Sequence, residues 1–439
     1  MQLDKESKNR IIADLHIHSK FSRATSERMD IEEITRFAQI KGLNLIGTGD
    51  FTHPRWFKEL KEKLIKAPEE GLYREAKSQD SPVRYMTTGE VSTIFKADGN
   101  IKKIHHIILT PSLEVATQIS DRLTQYGDLS SDGRPLLDAT ASQLVEEVME
   151  VSPDNLVIPA HAWTPWFSLF GAFSGFDRIE DCYEDMTKHI TALETGLSSD
   201  PPMNWRLSAL DRFTLVSNSD SHSFWPWRIG REANVFKLKE FTYHEVVDVI
   251  RNKDPERFKF TIETDPAYGK YHWTGHRDCK VSLSPEKAIE LKNRCPVCGR
   301  NLTKGVEQRV EELADRPSGY RPKIVPSYVH LLPLSEIIST VLGLAYPSVQ
   351  KVWGVYNMLI SKFGDEYTTL MEASMEEMSS YVDQKIADAV IRVREGRVKV
   401  IPGYDGVYGQ LIIFENQMKK EEKKEIRNRA GQRSLTEYV

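Results

Sequence analysis

The sequence predicts an α/β protein: a closed barrel of about seven strand–helix repeats over residues 1–262, then a small metal-stapled segment over 263–325 and a helical region over 326–415. Three observations carry this reading. Short β-branched runs alternate with amphipathic helix-length stretches through the first 262 residues. Metal-competent side chains recur at the ends of those runs, and three of the four cysteines bunch just after them.

The strand candidates, in order, are IIADLHI, LNLIGTG, VRYMTTGEVS, KIHHIIL, NLVIPAHA, ITALETG and FTLVSNSDSH. Between them DIEEITRFAQIKG reads as a helix capped by Asp30 and stopped at Gly42, and SLEVATQISDRLTQYG reads as a second. Strand alternating with helix implies a mostly parallel sheet. The absence of a Gly-rich phosphate loop favours a closed barrel over a doubly wound sheet, with reactive residues at the C-terminal ends of the strands. Residues 263–325 break the pattern with turns and cysteines. LSEIISTVLGL, PSVQKVWGVYNMLISKFG, SMEEMSSYV and KIADAVIRVREG then read as helices, 398–415 as a closing β-hairpin with Gly turns, and 416–439 as a charged tail, helical in part.

At 439 residues, with 40% hydrophobic and 28% charged residues, the chain has room for two or three globular domains. A net charge of −5 gives no global nucleic-acid signature. The distribution says more: residues 277–323 carry eleven Lys/Arg against seven Asp/Glu, and 416–439 carry seven against four. A polyanion would be gripped there while the first half supplies chemistry. The charged start MQLDKESKNR contains no secretory apolar region, and no run of 18 apolar residues occurs, so a soluble cytoplasmic protein without a membrane partner is expected.

The candidate metal ligands are His16, His18, Asp50, His53, Glu90, His105, His161, Asp220 and His222. Residues at i and i+2 of a strand share a face, so His16 and His18 can reach one metal, and Asp14 falls on that face too. His106 points to the face opposite His105, which is the expected ligand of the two. Glu90 and Asp220 can bridge cations about 3.5–4 Å apart, a spacing suited to phosphoester cleavage. Mixed His and carboxylate donors suit Zn²⁺, Mn²⁺ or Fe²⁺. Activation of a water falls to Asp220, Glu90 and His222.

A second set is sharper. Cys295-Pro-Val-Cys298 and His276-Arg-Asp-Cys279 share a two-residue spacing and make up a tetrahedral zinc site, with His272 as the rival fourth ligand. Four protein ligands leave no open position, so a structural role is expected. Cys182 stands apart and reads as a buried hydrophobe.

The run HIH, GDFTH, GE, HH, PAH and SDSH resembles the polymerase and histidinol phosphatase (PHP) superfamily, which implies a distorted (β/α)₇ barrel holding two or three divalent metals (Zn, Mn or Mg) on the ligands named above. One departure leaves Asp50 and His53 as alternatives or joint ligands: the superfamily places Asp and His side by side there, and here Phe51 and Thr52 separate them. The helical stretches around Leu344-Ala-Tyr-Pro and Ser380-Tyr-Val-Asp look like degenerate helix-hairpin-helix units without the Gly-x-Gly turn, or equally an ordinary packing domain. Gln432, Leu435, Tyr438 and Val439 resemble a motif that plugs into a sliding clamp, with Val439 in place of the second aromatic.

Along its whole length the chain is similar to the archaeal endonuclease Q family, on PAHAWTPWFSLFGAFSGFD, GHRDC…CPVCG, VREGRVKVIPGYDGVYG and the clamp motif. That resemblance implies nicking of DNA on the 5′ side of deaminated bases (uracil, hypoxanthine, xanthine) and abasic sites, leaving a 3′-hydroxyl and a 5′-phosphate. A lesion base leaves the stack to be inspected, so Trp163, Trp166, Phe167 and Phe170, which follow His161, are candidate lesion contacts or else hydrophobic packing. A small-molecule phosphatase and a noncatalytic DNA-binding subunit are the rival functions.

Overall fold

The computed structural model describes residues 10–414, so the clamp-like residues Gln432, Leu435, Tyr438 and Val439 lie outside the described part. Among the described residues no helix is long and apolar enough to cross a membrane.

The main sheet begins with three parallel strands, β1 (Arg10–Asp14), β2 (Leu45–Gly47) and β3 (Arg84–Ala97). The next strand, β4 (Asn100–Thr110), runs back antiparallel along β3 from Ala97 to Thr87, and β5 (Leu156–Pro159) is antiparallel to β4. A sheet more mixed than the sequence reading anticipated results. The cause is the two-residue turn Asp98–Gly99, with φ of 51° and 74°, the left-handed pair that a tight hairpin demands. Glu90 and His105 consequently sit in the middle of long strands, not at strand ends.

Next come β6 (Ala192–Glu194) and β7 (Thr214–Val216), a parallel pair. A bridge between Ile17 and Ser221 brings the chain beyond β7 back beside the chain beyond β1. On the other flank of β1 lie β8 (Ala233–Lys237) and β9 (Phe258–Glu263), each antiparallel to its predecessor, with β10 (Ser327–His330) parallel to β9. Ser327–His330 therefore belongs to the main sheet, and the helical region starts later than residue 326, at Leu334.

Helix α1 (Ile31–Lys41) illustrates how local sequence sets the elements. The Asp30 carboxylate accepts from Glu33 N–H at the start, and Gly42, at φ 94°, lets the chain leave at the end. Its buried face, Ile31, Ile34, Phe37 and Ala38, covers the sheet.

The zinc segment is a short hairpin (Thr274–His276 with Val281–Leu283) beside the helix Val306–Leu313, and its own small core is Val281, Cys295 and Leu302. The closing hairpin pairs Lys399–Ile401 with Gln410–Ile412, and its turn docks on the zinc segment, where Trp273 N–H donates to the Gly403 carbonyl at 2.9 Å.

The helical region (Leu334–Leu342, Gln350–Phe363, Glu366–Met371, Met375–Ser379 and Gln384–Arg394) is fastened to the sheet-bearing first part of the chain by a buried ion pair. Lys41 Nζ donates to Glu366 Oε1 at 2.7 Å and to the Pro226 carbonyl at 2.8 Å, while Tyr356 OH and Leu334 N–H also donate to Glu366. Beside it, Tyr367 OH donates to the Gly230 carbonyl, and Trp353 packs against Trp225 and Trp227. These contacts hold the 223–231 loop, which follows two of the candidate ligands. Removing one partner of a buried pair strands the other charge. Glu366→Ala is expected to cost about 3–5 kcal/mol in urea unfolding, and Lys41→Met with Glu366→Leu to recover much of it. A single-variant loss under about 1 kcal/mol contradicts this account of the pair.

Candidate metal centre and cleft

Three candidate ligands hold strained backbone. Asp50 (φ 48°), His161 (φ 30°) and Asp220 (φ 46°) all occupy the left-handed region that side chains avoid. Such strain persists only where the surroundings impose it, and here it aims side chains inward. Room for His161 comes from Gly196 (φ 61°), where a Cβ would lie 2.6 Å from His161 Cβ.

Two groups of donor atoms converge. In the first, His16, His18, Glu90 and Asp220 each offer an atom within 4.8 Å of the others. His18 Nε2 lies 3.1 Å from Asp220 Oδ1 and 3.2 Å from Glu90 Oε2. His16 Nε2 lies 3.5 Å from Glu90 Oε2 and 3.7 Å from Asp220 Oδ1 and, though buried, has no hydrogen-bond partner among the described residues. In the second group, Glu90 Oε1 is 2.9 Å from His105 Nδ1 and 3.2 Å from His161 Nε2. Glu90 thus turns one oxygen to each group, the geometry of a bridging carboxylate. An orphaned buried imidazole nitrogen among carboxylates and other imidazoles fits divalent cations, and the donors suit Zn²⁺ or Mn²⁺.

The register of the β3–β4 hairpin explains which histidine points in. Ser92 opposes His105 and Val91 opposes His106, so His105 shares the Glu90 face. His106 is instead held on the other face by Thr93 Oγ1 at 2.9 Å and Tyr183 OH at 3.0 Å. Cys182 is buried in the core, as the sequence reading expects.

Four sequence candidates sit elsewhere. Asp50 stands behind His18, 3.0 Å from Nδ1, and is filled by Ser19 N–H and the Ser19 and Ser22 hydroxyls. His53 caps the helix Pro54–Lys63, its Nδ1 accepting from Trp56 N–H, and stacks on Phe21. Asp14 is engaged by Ser219 N–H at 3.1 Å and Gly230 N–H at 2.8 Å, because β1 ends there and the strand alternation does not continue to His16. His222 lies at the cleft edge, its ring 4.3 Å from that of His18, outside both donor groups.

Two residues escaped the sequence reading. Glu194 is fully buried, with its oxygens 3.0 and 3.1 Å from His16 Nδ1, and it accepts from His161 N–H at 2.7 Å and Asn218 Nδ2 at 2.9 Å. It fixes the His16 ring so that Nε2 faces the centre. Its signal was available: a carboxylate ending the strand in ALETG, like those in the other bursts. Arg134, whose Nη1 donates to Glu90 Oε2 at 3.0 Å, comes from a loop with no motif to betray it.

Protonation follows from these neighbours. Burial drives His105 down to about 4, so it is neutral and ready to coordinate at neutral pH. Burial opposes the charge on His16 and His18 as well, but Glu194 and Glu90 at one, and Asp50 and Asp220 at the other, outweigh it and hold both well above the ordinary histidine range. A proton held that firmly competes with a cation for Nε2. Metal affinity of the His16–His18 group should therefore fall as pH falls, and a cation bound there at pH 7 should expel about one proton or more. Calorimetry in two buffers of different ionisation enthalpy measures this. A release of zero protons contradicts it.

In the zinc segment, His276, Cys279, Cys295 and Cys298 bring their donor atoms within 4.8 Å of one another, a Cys₃His set matching tetrahedral zinc. Burial resists ionisation of Cys295, yet the N–H groups of Cys298 and Val297 prevail and pull it down to about 6. His272 is not part of the set, since its Nε2 pairs with Glu307 at 3.1 Å.

The aromatic stretch divides. Trp163 is fully buried, donating to Asn204 Oδ1 at 2.8 Å and packing on Phe170, so neither is free to meet a ligand. Phe167 lies with its ring 4.8 Å from His105. Trp166 (42% exposed) and Phe173 (50% exposed) stack at 4.9 Å, with Tyr271 of the zinc segment edge-on to Trp166. Beside them opens a cleft of about 430 Å³, bounded by His161, Asp220 and His222 of the sheet-bearing part, Tyr271, Glu336 of the helical region and Tyr408 of the closing hairpin. All parts of the described chain meet there.

Residues 333–397 match the family described as the MJ0043 C-terminal domain. The uncharacterized protein MJ0043 of Methanocaldococcus jannaschii is 33% identical over 275 residues, 60% of this chain, and the match spans about a third (33%) of that longer protein. The crystal structure of the lesion-specific endonuclease PfuEndoQ of Pyrococcus furiosus superposes with a TM-score of 0.82 at 34% identity, covering 93% of this chain and 97% of that one. Endonuclease Q in complex with a 27-mer duplex carrying an abasic lesion at the active site gives a TM-score of 0.81 at 34% identity, with the same coverage of both chains. A shared fold over nearly both full lengths, at that identity, shows that the chain belongs to the endonuclease Q family.

Proposed function

We propose that this chain is a metal-dependent DNA repair endonuclease, a distorted (β/α)₇ barrel of the PHP type, that nicks DNA 5′ to deaminated bases (uracil, hypoxanthine, xanthine) and to abasic sites. The observation that carries the reading is the shared cleft: the two donor groups open into a cavity that the zinc segment and the helical region help to wall. A site for a small phosphate ester has no need of those additional walls. The crystallised relative with an abasic duplex at its active site supports DNA as the partner.

The chain's own residues have definite tasks. His16, His18, Glu90 and Asp220 would hold one cation, and Glu90, His105 and His161 another; when bound, the cations supply an activated water and neutralise the phosphoryl oxygens. Glu194 and Asp50 orient His16 and His18 through Nδ1. His222, at the cleft edge, is placed to meet the scissile phosphate or the leaving oxygen. Cleavage to a 3′-hydroxyl and a 5′-phosphate and docking on a sliding clamp through Gln432, Leu435, Tyr438 and Val439 complete the proposal.

The exposed Trp166–Phe173 stack is a platform for an unstacked nucleotide. Base–aromatic stacking is worth about 1–3 kcal/mol, so Trp166→Ala should weaken lesion-DNA binding roughly 5- to 150-fold in a fluorescence titration. Unchanged binding and nicking remove Trp166 from the site.

The function is tested by incubating the protein with Mn²⁺ or Mg²⁺ and duplexes containing uracil or an abasic site, beside p-nitrophenyl phosphate. Nicking that Asp220→Ala abolishes is the expected result. Phosphatase activity without nicking overturns the reading.

A further inference from the structure

Two fully buried carboxyl groups take no part in the metal centre. Glu263 ends β9 and Glu232 immediately precedes β8, and both are 0% exposed. Glu232 Oε1 accepts from Thr264 N–H at 3.0 Å. Glu232 Oε2 and Glu263 Oε2 lie 3.2 and 3.1 Å from one atom, Ser217 Oγ, which is also 3.1 Å from the Ile262 carbonyl oxygen. Thr195 Oγ1 is 3.1 Å from Glu263 Oε2 and 3.2 Å from the Val216 carbonyl oxygen. Glu263 Oε1 is buried without a hydrogen-bond partner among the described residues. A hydroxyl has a single hydrogen to give, and Ser217 alone faces three acceptors. One proton on either carboxyl resolves the arrangement: that acid donates to Ser217 Oγ, whose own hydrogen turns to the other carboxylate.

No cation stands in for the proton. Among the described residues neither carboxyl bonds to a lysine, arginine or histidine. Arg231 acts on Glu232 from the loop before β8, yet its Nε and Nη2 both donate to the Ser219 carbonyl. The other ionisable groups facing the pair are Glu194 of β6 and Asp200, both acidic, with Tyr328 of β10 and Tyr367 of the helical region. Burial raises both carboxyls above the ordinary range, Glu232 adds to the rise at Glu263, and Thr264 N–H and Arg231 offset part of it at Glu232. Side-chain amides tie the pair to the centre. Ser217 N–H donates to Asn234 Oδ1, Asn234 Nδ2 to Asn218 Oδ1 and Asn218 Nδ2 to Glu194 Oε1, each at 2.9 Å, and Glu194 is the carboxylate that fixes His16.

We propose that Glu232 and Glu263 are positioning residues that keep a proton between them at neutral pH, and that this shared acid fastens Ser217 and Thr195 so that Asn218 and Glu194 hold the His16 ring toward the centre. The inference rests on the metal reading of that centre and is independent of which phosphoester is cleaved. Ionising both carboxyls would leave two buried negative charges with no cation bonded to either. The folded protein keeps a proton that the unfolded chain releases above the ordinary carboxyl range. This contribution to stability is therefore full below that range and is lost as pH rises through the raised value.

Glu232→Gln and Glu263→Gln each remove one titrating proton while keeping the shape and a hydrogen to donate. The full-length wild type and both variants are unfolded in urea at about pH 6, 7 and 8. Relative to either variant, the wild-type unfolding equilibrium should move toward the unfolded state about tenfold per pH unit. Infrared spectra of the folded wild type at neutral pH should show a protonated-carboxyl band that each variant weakens. Glu263→Ala should lower the Mn²⁺ affinity of the His16–His18 group about tenfold at neutral pH, and Glu263→Gln should preserve it. A stability gap that does not change with pH, or a band that neither variant alters, overturns the shared proton. Mn²⁺ affinity untouched by Glu263→Ala overturns the positioning role. Should one amide variant fail to fold, the other decides the first two measurements. Wild-type protein that binds no Mn²⁺ overturns the metal reading itself, a result separate from the pH dependence and the infrared band.

Discussion

Glu90→Gln is expected to empty both metal groups at once and to lower nicking by on the order of 10³-fold or more. No other side chain belongs to both groups: Oε2 faces His16, His18 and Arg134, and Oε1 faces His105 and His161. An amide keeps the shape but removes the charge and turns N–H₂ toward one of the two cations. The protein is nevertheless expected to fold, because the Arg134 side chain is partly exposed to solvent and the histidines can release their protons. Elemental analysis of the purified variant should show less than half the wild-type barrel metal, while the zinc of the cysteine segment is retained. Full metal content with a wild-type rate would show that Glu90 is not a bridge. Asp220→Ala touches only the first group and should leave His105 and His161 able to bind, so the two variants differ in stoichiometry although both lose activity.

The second large effect is expected from Cys295→Ala. The zinc segment has only Val281, Cys295 and Leu302 as a core of its own, too little apolar burial to order so many turns without a metal. Zinc content should drop from about one per chain toward zero, with residues 263–325 becoming sensitive to limited proteolysis. The consequence reaches the cleft, because Tyr271 and Lys270 of this segment line it and the closing hairpin docks on Trp273. KM for lesion DNA should rise with a smaller change in kcat, since none of the residues of the two donor groups belongs to the segment. A variant that keeps wild-type KM and resists protease would make the zinc site dispensable. His272→Ala serves as the control, expected to leave zinc content unchanged because His272 pairs with Glu307.

Much of the site was legible in the chain. Histidine and carboxylate bursts marked most of the residues whose donor atoms converge in two groups, and the two-residue spacings marked the four that converge in the Cys₃His set, because both depend on short local geometry. The choice of His105 over His106 followed from strand alternation, and Asp30 and Gly42 bounded α1 through capping chemistry that acts within four residues. Legibility failed where long-range contacts decide. Asp98–Gly99 carried a hairpin signal that the strand–helix alternation obscured, and with it went the expectation of a mostly parallel sheet. Asp14 shares the face of His16 only if the strand continues, and β1 stops at Asp14. Trp163 and Trp166 look alike in sequence, yet Asn204 buries one and nothing covers half of the other.

The sequence by itself determined which chemistry is available: imidazoles, carboxylates and thiolates in patterns suited to metal binding. Tertiary structure decided how the donors divide into two groups, that Asp50 and Glu194 stand behind the histidines, and that a cleft walled by three separate regions opens onto them. The physical reason is distance along the chain. Residues 16, 90, 161 and 220 meet only after the strands have paired, and Glu336 and Arg228 come to one cavity only because the Lys41–Glu366 pair and the tryptophan cluster hold the helical region against the barrel.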